Sequence, residues 1–352
     1  MQNIIDIAGR KVGKNYPMYS IAEIGSNFDG SLDRAKHLVD LAVDFCKADA
    51  VKFQSFKAEK IVSDVGFQGR KDGFQSKWDK PVYEVYKDAE FPREWHEILF
   101  EYCNKKGVPF LSAPYDFEAV DLLDDLGVAA FKIGSGDVTW LELLEYVGSK
   151  NKPVILSTGA SSLSEVDEAV SAIKNTGNNK IILLQCVTNY PSSFESANVN
   201  AMRSMGDIFN LEVGYSDHTP GSIVALASRA LGGCIIEKHF TDDKNRPGPD
   251  HPFAMDHHDF KKMVEDVRTL EKTFGSPYKK LYEEEKLTVD LQRRCIRAKA
   301  DIKPGTVISR ELVEVLRPSP PGSLPPKTIR EMAGMTTTTS IKKGEYFTWK
   351  HF

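Results

Sequence analysis

Six short apolar runs in this chain each end on polar or charged side chains, and that repetition limits the folds open to it. They are Ile21-Ala22-Glu23, Val51-Lys52-Phe53-Gln54, Phe131-Lys132-Ile133-Gly134-Ser135, Ile155-Leu156-Ser157-Thr158, Val213-Gly214-Tyr215-Ser216-Asp217-His218 and Cys234-Ile235-Ile236-Glu237-Lys238-His239. Short β-branched segments with Lys, Glu or His at their C-terminal ends, separated by helical stretches, describe a parallel barrel with its active site at one mouth. Such a mouth would gather lysines, hydroxyls, carboxylates and two histidines into one pocket suited to an anionic substrate and a divalent metal.

Strand-like runs near 18–24, 50–54, 109–113, 129–134, 153–158, 180–187, 212–216 and 234–239 make eight strand–helix units. The spacing predicts helices over 32–46, capped by Ser31, and over 118–126, 162–173, 223–231 and 260–274. Eight such units form an α/β fold of the (β/α)₈ TIM barrel type. A doubly wound open sheet would need a glycine fingerprint after its first strand, and Gly25-Ser26-Asn27 does not supply one. Residues 57–90 and 241–256 are long insertions expected to lie over the barrel mouth. The opening 4–13 reads as a hairpin over the other end.

Composition changes after Phe274. The barrel is expected over 1–275, a polar linker over 276–293, and a small β-rich domain over 294–352. Within that domain Asp301–Ile308 is echoed by Ser340–Phe347, a sign of internal pseudo-symmetry. The four threonines 336–339 read as one face of a strand.

His218 and His239 end adjacent strands, so barrel geometry brings them together as ligands for Mn²⁺, Fe²⁺, Co²⁺ or Zn²⁺. Strand alternation sets Glu237 on the face of His239 as a supporting carboxylate. His251, His257 and His258 read instead as part of a helix cap and its solvated first turn. Lys52 and Lys132 fall inside strands, where an unpaired ammonium is costly to bury. With Ser112, Ser135, Ser157 and Thr158 at equivalent strand ends, they point to a phosphate and carboxylate pocket, which Gly134-Ser135-Gly136 supports. Cys186 and Cys234 read as core residues.

A formal net charge of −4, with no basic tract, gives no footprint for nucleic acid. The opening MQNIIDIAGRKVGKNYP lacks the apolar core of a secretion signal, and no run is long enough to span a membrane. Five cysteines without C-x-x-C pairing fit reduced thiols and a cytoplasmic location.

The segments IAEIGSNFDGSLDRAKHLVDLA, ADAVKFQSFKAE, FKIGSGD, ILSTGASS, GYSDHT and IIEKHFTDDKNRPGPDH resemble the N-acetylneuraminate (sialic acid) synthase family. The tail AKADIKPGTVISRELVEVLRP resembles that family's antifreeze-like, or SAF, domain. The resemblance runs in order over nearly the whole chain. It implies condensation of phosphoenolpyruvate (PEP) with an open-chain N-acylated mannose-type sugar, with phosphate released by C–O cleavage. It also implies that Lys52, Ser112, Lys132, Ser135, Ser157 and Ser216 hold PEP. His218 and His239 would ligate the metal, Mn²⁺ first, with Mg²⁺ or Co²⁺ as alternatives. Glu23 and Glu237 would stabilise developing positive charge, and with Lys52, Lys132 and His239 they form the implied catalytic set. Glu23, Gln54, Asp137, Tyr190 and Asp250 would position the sugar, and Thr188 would also contact substrate. Arg317 would reach it from the SAF domain of a partner in a domain-swapped homodimer. Thr188-Asn189-Tyr190-Pro191 stands where the family has Asn-Ile-Tyr-Pro, Asp137 where Glu is common, and Ala160 where Met is frequent. These departures bear on the sugar, which is either N-acetylmannosamine or a diacetamido-trideoxy hexose leading to legionaminic or pseudaminic acid.

Three other classes compete. One is a PEP-dependent condensation on another aldose, against which the SAF-like tail argues. The second is a metal-dependent aldolase that does not use PEP. The third is a non-catalytic carbohydrate-binding protein, which would not need candidate groups at so many strand ends.

Overall fold

The eight predicted runs form one parallel sheet curled into a near-closed barrel. A computed structural model describes residues 4–69 and 73–352. After a hairpin of β1 (Ile5–Ile7) and β2 (Arg10–Val12) come the barrel strands β3 (Tyr19–Glu23), β4 (Ala50–Ser55), β5 (Phe110–Pro114) and β6 (Phe131–Ile133). They are followed by β7 (Val154–Ser157), β8 (Ile181–Cys186), β9 (Glu212–Asp217) and β10 (Ile235–Thr241). Hydrogen-bonded neighbours run β5-β4-β3-β10-β9-β8-β7-β6, and β5 and β6 lie side by side to complete the ring.

Strands covered on both faces need apolar residues at successive positions, which is why these segments read as runs. Alternate residues then go to different cores. Tyr19, Ile21, Ala50, Leu111, Ala130, Ile155, Ile182, Leu184 and Ile235 fill the barrel with Ile5, Ile7 and Val12 of the hairpin, so the hairpin closes one end. Val51, Phe53, Phe110, Phe131, Leu156, Leu183 and Tyr215 pack outward against the helices. Those helices begin where capping residues stand. Ser31 accepts from the Arg34 N–H ahead of Leu32–Asp40, Asp116 caps Phe117–Asp125, Ser162 and Glu165 form a capping box, and Asp256 caps His257–Thr273. Among the described residues no helix is long and apolar enough to cross a membrane.

A second compact unit spans Gly275–Phe352 and the first spans Met1–Phe274. In the second, β11 (Cys295–Ala298) pairs antiparallel with β12 (Val313–Leu316) over a small core of Ile296, Ile302, Ile308, Leu324, Met332, Ile341 and Phe347. The two echoed segments face each other through an Ile302–Ile341 bridge, and each turns on a left-handed glycine, Gly305 or Gly344. The threonine run makes no regular strand. Thr337 is buried instead, its hydroxyl donating to the Lys303 carbonyl at 2.9 Å.

Candidate active site

Inward positions at the C-terminal strand ends bring four opposite charges together. Lys52 Nζ lies 2.7 Å from Glu23 Oε2 and 3.7 Å from Glu237 Oε1, and Lys132 Nζ lies 3.4 Å from that same Glu237 oxygen. Gln54 Nε2 donates to Glu23 Oε1 at 2.6 Å, and the Ser216 hydroxyl donates to Glu237 Oε1 at 3.4 Å. Burial disfavours both ammonium ions. For Lys52 the carboxylates of Glu23 and Glu237 outweigh it and the pKa rises. For Lys132 burial wins, helped by the charge of Lys52, and the pKa falls. Glu237 is pushed up by burial but held below its ordinary range by the two lysines. Two buried ammonium groups that share their counter-charges can turn toward an incoming dianion without leaving the carboxylates unpaired. Ser157 Oγ, fully buried, has no hydrogen-bond partner among the described residues, which marks it as a group for a ligand. The Gly159 N–H donates to Ser135 Oγ at 3.0 Å. A Cβ on Gly159 would lie 2.3 Å from Thr188 Oγ1 and 2.9 Å from Ser135 Oγ, so only glycine lets these hydroxyls close in.

The imidazoles of His218 and His239 stand with ring centroids 5.5 Å apart. His218 Nδ1 lies 2.8 Å from the Val187 carbonyl, which can only accept, so Nδ1 carries the proton and Nε2 the free lone pair. His239 Nδ1 is buried without a hydrogen-bond partner among the described residues, 3.6 Å from Asp250 Oδ2. This donor set fits a borderline divalent metal. Among the described residues no three His, Cys, Asp or Glu side chains form a metal cluster. A metal held by the two imidazoles would therefore complete its shell with water or substrate oxygens.

Above the charges a cavity of about 400 Å³ is lined by Gln54, Ser135, Asp137, Thr188, Tyr190, His239 and Asp250. Burial pushes the Asp137 carboxyl up to about 6, against the pull of Lys132. One stretch of the wall is apolar or aromatic, with Phe56, Ile61, Val85, Tyr86 and Phe253, and polar Ser26 and Gln75 also line the cavity. Tyr190 packs on His218 at 4.1 Å and on Phe253 at 5.0 Å. The insertion after β4 supplies Ile61, Val85 and Tyr86, and the loop after β10 supplies Asp250 and Phe253.

Two serine and threonine expectations are corrected. Ser112 is in register with Phe53, on the outward side of β5. Its hydroxyl meets Ser55 Oγ at 2.7 Å, and Ser55 bonds the buried His96 of the covering helix. Burial and nearby Arg93 lower the His96 pKa to about 4, so the ring is a neutral structural partner. Leu111 and Ala113 flank Ser112 on the inward side. Thr158 likewise turns outward, donating to the Leu184 carbonyl. Arg317 belongs to the second unit, where it is exposed just past β12.

Sequence reasoning missed Tyr115 and Phe253, which line the cavity, and misread His251. That histidine is fully buried, held by Thr241 Oγ1 at 2.7 Å and Asp29 Oδ1 at 2.9 Å. Asp242 binds Arg34 and Arg246 through two hydrogen bonds each. Together these contacts fasten the loop that carries Asp250. No local pattern announces them, because Asp29 and Arg34 lie more than 200 residues from their partners.

Residues 38–279 match the NeuB family and residues 293–352 the SAF domain. The chain is 38% identical over 330 residues to N,N'-diacetyllegionaminic acid synthase of Campylobacter jejuni, covering 92% of this chain and 97% of that one. It is 33% identical over 332 residues to pseudaminic acid synthase of Helicobacter pylori, covering 93% and 94%. The solved N-acetylneuraminic acid (sialic acid) synthetase of Leptospira borgpetersenii, in complex with citrate, superposes with a TM-score of 0.72 at 32% identity. That match covers 82% of this chain and 96% of that one. With a barrel, a charged mouth and a SAF domain in the same order, the chain belongs to the NeuB family of sialic, legionaminic and pseudaminic acid synthases.

Proposed function

We propose that this chain condenses PEP with an open-chain N-acylated mannose-type amino sugar, giving a nine-carbon 2-keto sugar acid and phosphate. The observation that carries the reading is the buried quartet of Lys52, Lys132, Glu23 and Glu237 beneath a polar-rimmed cavity. Lys52 and Lys132 neutralise the phosphate and carboxylate of PEP, with Ser135, Ser157 and Ser216 as hydroxyl partners. His218 and His239 would hold a divalent cation, Mn²⁺ with Mg²⁺ or Co²⁺ as substitutes, which would supply Lewis-acid polarisation of the sugar's aldehyde oxygen. C3 of PEP attacks the aldehyde carbon, and Glu23 and Glu237 stabilise the cation that develops at C2. Water adds at C2, its proton passing through one of these carboxylates to the sugar's alkoxide oxygen, and the tetrahedral adduct expels phosphate, its C2 hydroxyl proton leaving with the phosphate as the ketone forms.

Gln54, Asp137, Thr188, Tyr190 and Asp250 orient the sugar's polar groups. A second reading of the acceptor, a diacetamido-trideoxy hexose, is favoured by the apolar wall of Phe56, Ile61, Val85 and Phe253. A 6-methyl and a second N-acyl methyl fit such a wall better than hydroxyls do. The test is phosphate release from PEP with ¹⁸O in the bridging position, run with N-acetylmannosamine and with the diacetamido sugar. The label is expected in inorganic phosphate, with the higher kcat/KM for the diacetamido sugar. Label retained in the keto acid refutes the chemistry, and a preference for N-acetylmannosamine refutes the second reading.

The same proposal includes a homodimer whose SAF domains are exchanged, with the exposed Arg317 serving the partner's barrel. Arg317→Ala and Lys52→Ala chains, each nearly inactive, are expected to recover activity when mixed, because one site of each mixed dimer is intact. No recovery after demonstrated subunit exchange refutes the exchange.

A further inference from the structure

On the two strands that carry the imidazoles, the residues facing away from the barrel axis are themselves charged. Asp217 is in register with Lys238, and their side chains meet at 2.8 Å with exposures of only 0 and 4%. Asp217 Oδ1 also accepts from the Thr219 N–H at 2.8 Å and from the Thr219 hydroxyl at 2.7 Å. Lys238 Nζ donates in turn to the Thr219 carbonyl. The pair and the backbone just beyond His218 thus form one closed network.

A buried ion pair is a poor source of stability, because desolvation offsets most of the attraction and apolar residues of similar volume do as well. What this pair supplies is register. His239 directly follows Lys238 within β10, where strand alternation turns it to the face opposite that lysine, and His218 directly follows Asp217, the last residue of β9. From the other side the His218 ring is fixed by its bond to the Val187 carbonyl. No third side chain completes a metal cluster among the described residues, so the spacing of the two imidazoles must come from the strands themselves.

We infer that the network of Asp217, Lys238 and Thr219 is a positioning device that sets the separation of His218 and His239 and so strengthens divalent-cation binding at the barrel mouth. The inference rests on the proposed role of the two histidines as cation ligands. Neither residue of the pair touches substrate or cation; both act through the histidine that follows them.

The experiment is calorimetric titration of the full chain with Mn²⁺, paired with thermal melting. Asp217→Asn combined with Lys238→Met removes both charges and keeps the volume. It is expected to melt near the wild type yet bind Mn²⁺ about ten- to a hundredfold more weakly, the usual cost of losing support behind a ligand. Lys238→Arg, which keeps the charge, is expected to retain part of that affinity. Wild-type Mn²⁺ affinity in a folded double variant overturns the inference. Should the double variant not fold, Thr219→Val deletes one donor to Asp217 and keeps the ion pair. It is expected to lose about fivefold in Mn²⁺ affinity, and no loss overturns the inference. His218→Ala serves as the control: if the wild type binds Mn²⁺ no better than this variant, the ligand assignment itself fails. That outcome is distinct from unchanged affinity in the double variant.

Discussion

Lys52→Met is expected to lower kcat/KM for PEP at least about a hundredfold, approaching a thousandfold, while the barrel still folds. The side chain is 4% exposed and lies between two carboxylates, at 2.7 Å from Glu23 and 3.7 Å from Glu237. Methionine fills the same volume without the charge. The quartet then holds two carboxylates against the single ammonium of Lys132, and a substrate bearing phosphate and carboxylate meets net repulsion. Removing one preorganised donor from a dry site typically costs about 10²–10³ in rate. Lys52→Arg is not expected to rescue, since a planar guanidinium cannot occupy a slot shaped for a compact ammonium. Steady-state kinetics with direct PEP binding decides the matter. A folded Lys52→Met enzyme with near-normal PEP affinity and turnover would remove Lys52 from the proposed chemistry.

Gly214→Ala is expected to be the most damaging single-methyl change in the barrel. Gly214 is an inward position of β9. A Cβ there would lie 2.5 Å from the Ile235 carbonyl oxygen, 2.9 Å from the Ile235 nitrogen and 2.8 Å from Leu184 Cδ2. Two of those three atoms are backbone of the neighbouring strand. A near-closed ring of hydrogen-bonded strands cannot widen at one point without disturbing its neighbours. The expected loss is about 3 kcal/mol or more, read as a melting temperature lower by roughly 10 °C. Gly136→Ala is the control. Its added Cβ meets nothing within 4 Å and its φ is not in the left-handed region, so it should melt like the wild type. Equal melting of the two variants would mean that β9 and β10 separate more easily than their ladder implies.

The strands are readable because each is buried on both faces and so appears as an apolar run, interrupted where a charge enters the site or, at Asp217 and Lys238, where two charges pair behind it. Lys52, Lys132 and Glu237 declared themselves in that way. Ser112 did not, because an apolar run fixes where a strand lies but not which way its small polar residues turn. A one-residue change of parity carries a side chain to the other face, and only the Ser55–His96 contact reveals that Ser112 faces the helices. The loop after β10 was recognised as a cover for the mouth. The anchoring of its buried His251 was hidden, since it depends on Asp29, which folding alone brings near.

The two ends of the pocket are built from different material, and that has a consequence for how such enzymes diversify. The charges sit on strand positions locked into the barrel's hydrogen-bonded ladders, so a substitution there disturbs two neighbours at once. The far wall comes from Phe56, Ile61, Val85, Tyr86 and Phe253, on segments outside those ladders. Insertions and exchanges in these segments leave the ring untouched. Lineages can therefore inherit one half of a substrate pair unchanged while trying out new partners for the other half. Relatives named for different sugar acids on one barrel are what such unequal freedom would leave behind.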